Sequence, residues 1–301
     1  MEKLSRNIFK IGIRQVFYNL KFVSLLWSLG AITALIISMP VFQMMQESLK
    51  TSLLNDKLAA GFEYLWLVQF REIFSVQIDS LHYLFLAVLL GYLMIQNFYS
   101  GGLIAVFNMP KKNHMLDFFY GGVRYWYRFL KILSISLIFY GIAFLFNDLL
   151  AMIIHKAFVN SENAMAEFIL NLLKYIILIF LIGITAIISD YAKVIVVVGD
   201  ERSSVQSIKK AIVTIKNNFN TIFSVFVIIS VTGALGAIVY NAVGRFIPRT
   251  PYYFLALTFI MQQMLVIFRL LIRMLFYSSE VLIYKDTTAE IIENNIQEVR
   301  S

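Results

Sequence analysis

Residues 262–280 read QQMLVIFRLLIRMLFYSSE. From Met264 to Phe276 every residue is apolar except Arg269 and Arg273, which stand four apart. A guanidinium placed at the centre of a bilayer costs at least about 2.5 kcal/mol. The stretch is therefore either the end of a membrane span with its charges at the interface, or a buried helix whose charges have partners. Both readings make it a helix in a lipid setting, and the rest of the chain follows from that.

The composition agrees. Of the 301 residues, 59% are hydrophobic and 15% charged, against roughly 45–50% and 25% in soluble domains. There are 27 Phe and 16 Tyr but 4 Pro, more apolar surface than a soluble core can hide. The formal charge of +8 fits the Lys and Arg excess of cytoplasmic loops in membrane proteins. It does not point to nucleic acid, because no basic cluster sits on a soluble module. Cysteine is absent, which removes disulfides and thiolate metal sites.

A helix needs about 20 apolar residues to cross a bilayer. Six stretches qualify, near 22–45, 83–107, 130–154, 166–189, 221–244 and 252–273. The first is too long for the apolar region of a signal peptide, and no small-residue cleavage site follows it, so it reads as a retained span. Of the 26 Lys and Arg, 17 fall in the N-terminal segment, the connections at 108–131 and 190–220, and the tail. Six fall on the other side, and Lys174, Arg269 and Arg273 lie within spans. That asymmetry puts both termini in the cytoplasm, with the chain in the cytoplasmic (inner) membrane.

The basic connections read as amphipathic helices feeding the next span. In the first, Lys3, Asn7, Lys10, Arg14 and Lys21 recur at helical spacing opposite Ile8, Val16 and Leu20. In the third, Ser203 and Gln206 have the capping-box spacing, and Val205, Ile208, Ile212, Ile215 and Phe219 form the apolar stripe. Such helices either lie in the headgroup plane or pack as linkers on the bundle. Laid on each other, NIFKIGIRQVFYNLKF (7–22) and DFFYGGVRYWYRFLKI (117–132) match at Phe9/Phe119, Gly12/Gly122, Arg14/Arg124, Leu20/Leu130 and Lys21/Lys131. SIKKAIVTIKNNFNTI (207–222) fits by pattern. The fold expected is an all-α membrane protein of three parallel-repeat units, each an inner amphipathic helix plus a transmembrane hairpin.

The longest external connection, 46–80, carries Leu49, Leu53, Leu54 and Leu58 at helical spacing, then Phe62, Tyr64, Trp66 and Phe70. It predicts helical structure on the outer surface, either a cap or an aromatic anchor. At the other end, Thr287 and Glu290 have capping-box spacing, and Ala289, Ile292, Ile296 and Val299 form a stripe. They predict a separate tail helix over 287–299. Its Glu290, Glu293 and Glu298 offer an acidic face to the basic inner helices or to a protein partner.

Chemistry is scarce. His82, His114 and His155 lie near three different span ends, and the chain has no HxxxH or HExxH spacing, no phosphate loop, no dinucleotide loop and no serine elbow. No catalytic residues, metal or cofactor are expected. Ionisable groups at membrane depth are the default site candidates. Asp148 and Lys174 sit at similar depth in one hairpin and suggest a structural ion pair. Asp190 ends the fourth span, with Lys193 three residues on and VIVVV carrying the apolar run further. Asn97, Ser100, Gly101 and Gly102 mark close helix approach in the second span.

Two of these segments, FYSGGLIAVF (98–107) and SDYAKVIVVVGDERSSVQSIKKAI (189–212), carry a resemblance. With the inner-helix pattern, the chain resembles a loose set of bacterial six-helix membrane proteins. Among them is the membrane domain attached to some glycerophosphodiester phosphodiesterases. The resemblance implies a helical bundle. The soluble phosphodiesterase domain finds no counterpart in this sequence, so that activity is not carried over.

The two arginines can now be placed. Entering from outside near Tyr252, the last span runs about 25 Å by Phe268, so Arg269 and Arg273 reach the inner interface. There they either snorkel to the phosphates of anionic lipid or line a face turned into the bundle. That face holds Gln262, Arg269, Arg273 and Glu280, with Asp190 in pairing reach of one arginine. The first reading leaves a non-catalytic permease-like, assembly or scaffold component. The second makes a lipid or small-amphiphile transporter with a cationic inner rim.

Overall fold

In a computed structural model, the structure describes residues 2–50, 58, 63–109, 115–159, 163–248 and 253–300, with side chains described between 8 and 289. All the regular structure among them is helical. The helices are α1 (Glu2–Tyr18), α2 (Lys21–Leu49), α3 (Tyr64–Ile73), α4 (Ser75–Asn108), α5 (Met115–Phe158), α6 (Ala164–Val198), α7 (Ser204–Asn217), α8 (Phe219–Phe246) and α9 (Tyr253–Arg300). Six of them, α2, α4, α5, α6, α8 and α9, are long and apolar enough to cross a membrane. Each coincides with one of the six predicted spans, the last of them from Tyr253 on. The protein is a multi-pass helical membrane protein.

The chain divides into two compact units. The first comprises residues 1–13, 100–227 and 276–301, and holds most of α5 to α7. Its core is built on α6, which packs against α5 and α7. From Tyr191 to Val197 every residue of α6 is buried. A helix apolar on all sides must be surrounded, and the run VIVVV is where that happens. Phe118, Phe129 and Ile132 from α5 and Ile208, Ala211 and Ile215 from α7 join the same core, with Leu103, Ile104, Val281 and Ile283. At the end of α4, Gly101 and Gly102 meet Gly121 and Phe118 of α5 backbone to backbone, the close approach that small residues permit.

The second unit comprises residues 14–99 and 228–275. In it, Trp27 of α2 donates to Gln263 of α9 at 2.8 Å. Phe70 and Phe74 pack with Met44 of α2 and Trp66. Part of the aromatic run expected on the outer surface thus packs against α2 and the start of α4. Leu53 and Leu54 lie outside the described residues, as do Lys111, Lys112 and His114.

Two expected boundaries differ. The tail is not a separate helix, because α9 continues unbroken to Arg300. Thr287 does not cap. Its hydroxyl donates back to the carbonyls of Ile283 and Tyr284, both at 3.0 Å, as Thr does inside a helix. Burial of Val281 and Ile283 holds the turn that a cap would have ended. The second inner helix is likewise fused to its span in α5, whereas α1 and α7 each end just before theirs. At both of those ends an asparagine side chain donates to the carbonyl four residues back, Asn19 to Gln15 at 2.9 Å and Asn218 to Thr214 at 3.3 Å.

Candidate functional site

The end of α6 that carries the first unit's core also carries its buried polar groups. Asp190 stands half-buried beside that apolar run, and Lys193 donates to its carboxylate at 3.1 Å across one helical turn. Tyr191 is 2% exposed, and its hydroxyl has no hydrogen-bond partner among the described residues. From α9, Glu280 is 6% exposed with Oε2 buried and likewise without a partner. Glu280 lies in the field of Asp190 and Lys193, and Tyr191 in the field of Glu280. Tyr140 of α5 faces Asp190 and Lys193. These two carboxylates, one ammonium and two phenols come from three helices of the first unit, and Lys193 and Asp190 are the two among them joined by an ion pair. Next to Glu280, Ser278 and Ser279 are buried as well, while Ser100 and Tyr277 share a buried hydroxyl bond at 2.9 Å.

Beyond the core, the connection at 199–203 is clamped by charge. Gly199 closes α6 through its N–H to Ile195, at 2.9 Å. Asp200 takes a φ of 47°, a left-handed conformation that aspartate tolerates better than most residues. Its carboxylate accepts from Arg124 at 2.6 Å and from Arg128 at 3.2 Å. Arg128 also donates to the Glu201 carbonyl at 3.0 Å, and Lys210 pairs with the Glu201 carboxylate. Ser203 accepts from the Gln206 N–H at 3.4 Å, so the capping spacing read from the sequence is a cap. Lys285 donates to the Asn108 carbonyl at 2.6 Å, at the C-terminal end of α4.

The predicted inner rim is distributed differently. Gln262 and Arg269 are exposed, so the face expected to turn inward does not do so at those two positions. The face that does is one residue round the helix, where Gln263 meets Trp27. Phe268 packs over Gly236 of α8 and sets that rotation. Arg273 is half-buried in the second unit against Gln96 of α4. With the amide oxygen of Gln96 toward the guanidinium, Nε donates at 3.1 Å. Asp190 belongs to the first unit, and its ion-pair partner there is Lys193.

Asp148 and Lys174 do not form the expected pair. Among the described residues no ion pair joins them. Asp148 is exposed, while Lys174 is buried with its ammonium 4.6 Å from the Tyr175 ring. In that hairpin it is Asn147, next to Asp148, whose Oδ1 is buried without a hydrogen-bond partner among the described residues. Equal depth placed the two charges at one level but did not fix which side of α5 faces inward.

The second unit also carries a cavity. Gly30, Thr33, Ala34 and Ile37 of α2 and Phe85, Val88, Leu89 and Tyr92 of α4 line an apolar groove of about 530 Å³. Gln96 follows Tyr92 by one helical turn, on the same stripe of α4. The sequence reading missed both Gln96 and the Arg124–Asp200 clamp. The adjacent polar pair Gln96–Asn97 inside an apolar span was the available signal for the first. Nothing local announces the second, which joins residues 76 apart in sequence. No family model, curated protein or solved structure matches the chain.

Proposed function

We propose that this chain is a non-catalytic component of the cytoplasmic membrane, an assembly, scaffold or permease-like subunit with both termini in the cytoplasm. One observation carries the reading. The six spans bury little of themselves: the share of buried residues in their most apolar windows is 22% at most, and it is 0% in α4 and α9. The first unit's core around α6, by contrast, is fully packed. Spans so bare are solvated by lipid or by partner helices. The basic inner helices, with Phe17, Tyr18, Phe119 and Tyr127 exposed beside Arg14, Arg124 and Lys131, suit anionic headgroups of the inner leaflet. The acidic tail suits a protein partner.

The three-unit repeat belongs to the same reading, and burial supports it. Ile8, Gly12, Asn19, Phe22 and Leu26 are buried, and so are Phe118, Gly122, Phe129, Ile132 and Ser136, each 110 residues on. For the third copy an offset of 199 fits better than the 200 read from pattern. It lays Ile8, Gly12, Val16, Val23 and Leu26 on buried Ser207, Ala211, Ile215, Ile222 and Val225, and it lays Asn19 on Asn218.

A second reading has its own observation. The α2–α4 groove, with Gln96 and Arg273 one turn beyond it, suits an acyl chain and an anionic headgroup, the lipid or small-amphiphile alternative. Native mass spectrometry of the protein released from nanodiscs separates the two. The component reading expects an apo chain, or a chain bound to a stoichiometric membrane partner. Stoichiometric acidic lipid that is lost on filling the groove with Ala34→Phe sinks it in favour of the amphiphile reading.

A further inference from the structure

We infer that the amphiphile of the second reading, on which this inference rests, is an inner-leaflet phospholipid of net negative charge, with one acyl chain in the α2–α4 groove and its phosphate on Arg273. The groove has a volume of about 530 Å³, within the range of sites that hold small molecules. Its α2 wall is Gly30, Thr33, Ala34 and Ile37. Small residues at that spacing normally let two helices close on each other. Here they do not: among the described residues, nothing lies within 4 Å of the point where a Cβ on Gly30 would stand. The one hydroxyl on that wall, of Thr33, donates to the Leu29 carbonyl at 2.8 Å, so the wall stays apolar. Ala34, Phe85 and Leu89 are exposed, which leaves the groove open along its side to lipid.

Charge at one end gives the occupant its direction. As successive spans, α2 and α4 run antiparallel, so Gly30 and Tyr92 mark one end of the groove and Ile37 and Phe85 the other. Gln96 follows Tyr92 by one turn and is 8% exposed. With its amide oxygen toward Arg273, Nε donates to it at 3.1 Å. All of these residues lie in the second unit. Gln96 is neutral, so it orients the guanidinium without cancelling its charge. Arg269, one turn earlier on α9, is exposed and adds a second positive charge beside it. Side chains lean toward the N-terminus of their helix. In the orientation proposed above α4 and α9 both enter from outside, so Gln96 and Arg273 lean toward the bilayer centre and the groove. A phosphate held by that planar fork belongs to a lipid whose chain points from the cytoplasmic surface to the bilayer centre, as an inner-leaflet chain does. A zwitterionic headgroup would bring its own ammonium against two guanidiniums, whereas a net negative one brings none.

The test uses the full chain in nanodiscs of equal parts phosphatidylglycerol and phosphatidylcholine, each lipid in turn carrying a photoreactive acyl chain. Light should attach it to the groove walls of α2 and α4, with phosphatidylglycerol ahead by roughly tenfold, the worth of one charge-assisted hydrogen bond. A reactive group near the headgroup should label the Gly30–Tyr92 end, and one at the chain terminus the Ile37–Phe85 end. Ala34→Phe, which fills the groove, should abolish labelling by both lipids. Arg273→Gln should keep the labelling but bring the two lipids to near parity, and Arg273→Lys, which keeps the charge, should keep most of the preference. An unlabelled groove, or labelling that survives Ala34→Phe as annular lipid only, removes the amphiphile reading and this ligand with it. Equal labelling by both lipids in the wild type overturns the ligand alone. So does a reversed order of labelled ends, a preference that survives Arg273→Gln, or one lost equally in Arg273→Lys.

Discussion

Replacing Gly102 with alanine should separate α4 from α5, and the size of the effect can be worked out. A Cβ at Gly102 would lie 2.6 Å from the carbonyl oxygen of Phe118 and 2.6 Å from its ring. Comfortable non-bonded contacts lie near 3.5–4.0 Å, so the overlap is about 1 Å. The ring can turn aside, but the carbonyl is fixed in the α5 backbone and cannot. Relief must come from parting the helices, and a gap of about 0.5–1 Å already forfeits a quarter to a half of each contact's attraction. Overpacking of this kind costs about 1–3 kcal/mol, and the rigid obstacle argues for the upper half. Alanine returns up to about 1 kcal/mol through helix propensity. The control is Gly141→Ala on α5, where nothing lies within 4 Å and the propensity gain acts alone. The two variants should differ by about 2–3 kcal/mol, with Gly102→Ala the less stable. Detergent-solubilised protein unfolded by graded SDS, followed by circular dichroism, measures the difference. Equal midpoints would refute the close approach of α4 and α5 and the reading of Gly101, Gly102 and Gly121 as packing residues.

Other outcomes follow from the same geometry. Arg128→Ala removes bonds to both Asp200 and the Glu201 carbonyl and should cost about 1 kcal/mol after allowance for its partial exposure. Arg124→Ala, exposed and bonded to Asp200 alone across the clamp, should cost less, and the gap in melting temperature between wild type and either variant should narrow in high salt. Lys285→Met keeps the apolar stem but loses the bond to the Asn108 carbonyl, and should cost about 1–2 kcal/mol in the same SDS titration. Because the chain has no cysteine, single cysteines report topology cleanly. An impermeant maleimide added to intact cells should label positions 156 and 245 but not 202, and the reverse pattern would invert the proposed orientation.

Much of the fold was legible because a bilayer demands so much of a sequence. Six apolar stretches of span length predicted six helices, and Ser203 with Gln206 announced a real cap. What failed was rotation and continuity. Gln262 was chosen where Gln263 packs, and Asp148 where the Oδ1 of Asn147 is buried, each one residue and about 100° away. In a span nearly every side is apolar, so no stripe indicates which side faces a neighbour. Thr287 failed for a different reason. Its spacing to Glu290 is that of a cap, but the turn before it is held by burial of Val281 and Ile283, which no local pattern reports. Asp190 fell between these cases. It was assigned to an arginine of the last span, while Lys193, three residues on in the sequence, is the partner it has.

The distribution of burial has a physical logic that joins these results. Between helices in lipid there is no hydrophobic driving force, since the acyl chains are as apolar as leucine. A span gains little by burying Leu or Phe against its neighbour, and the spans here leave theirs exposed. The dense core gathers instead around VIVVV at the end of α6 rather than midway along it. Packing that dense leaves no room for stray charge. Some of the polar groups it contains are held by bonds that can be named, as in the Ser100–Tyr277 and Lys193–Asp190 pairs, whereas the Tyr191 hydroxyl has no partner among the described residues. Glu280 is the carboxylate in that core whose Oε2 is left without one among the described residues.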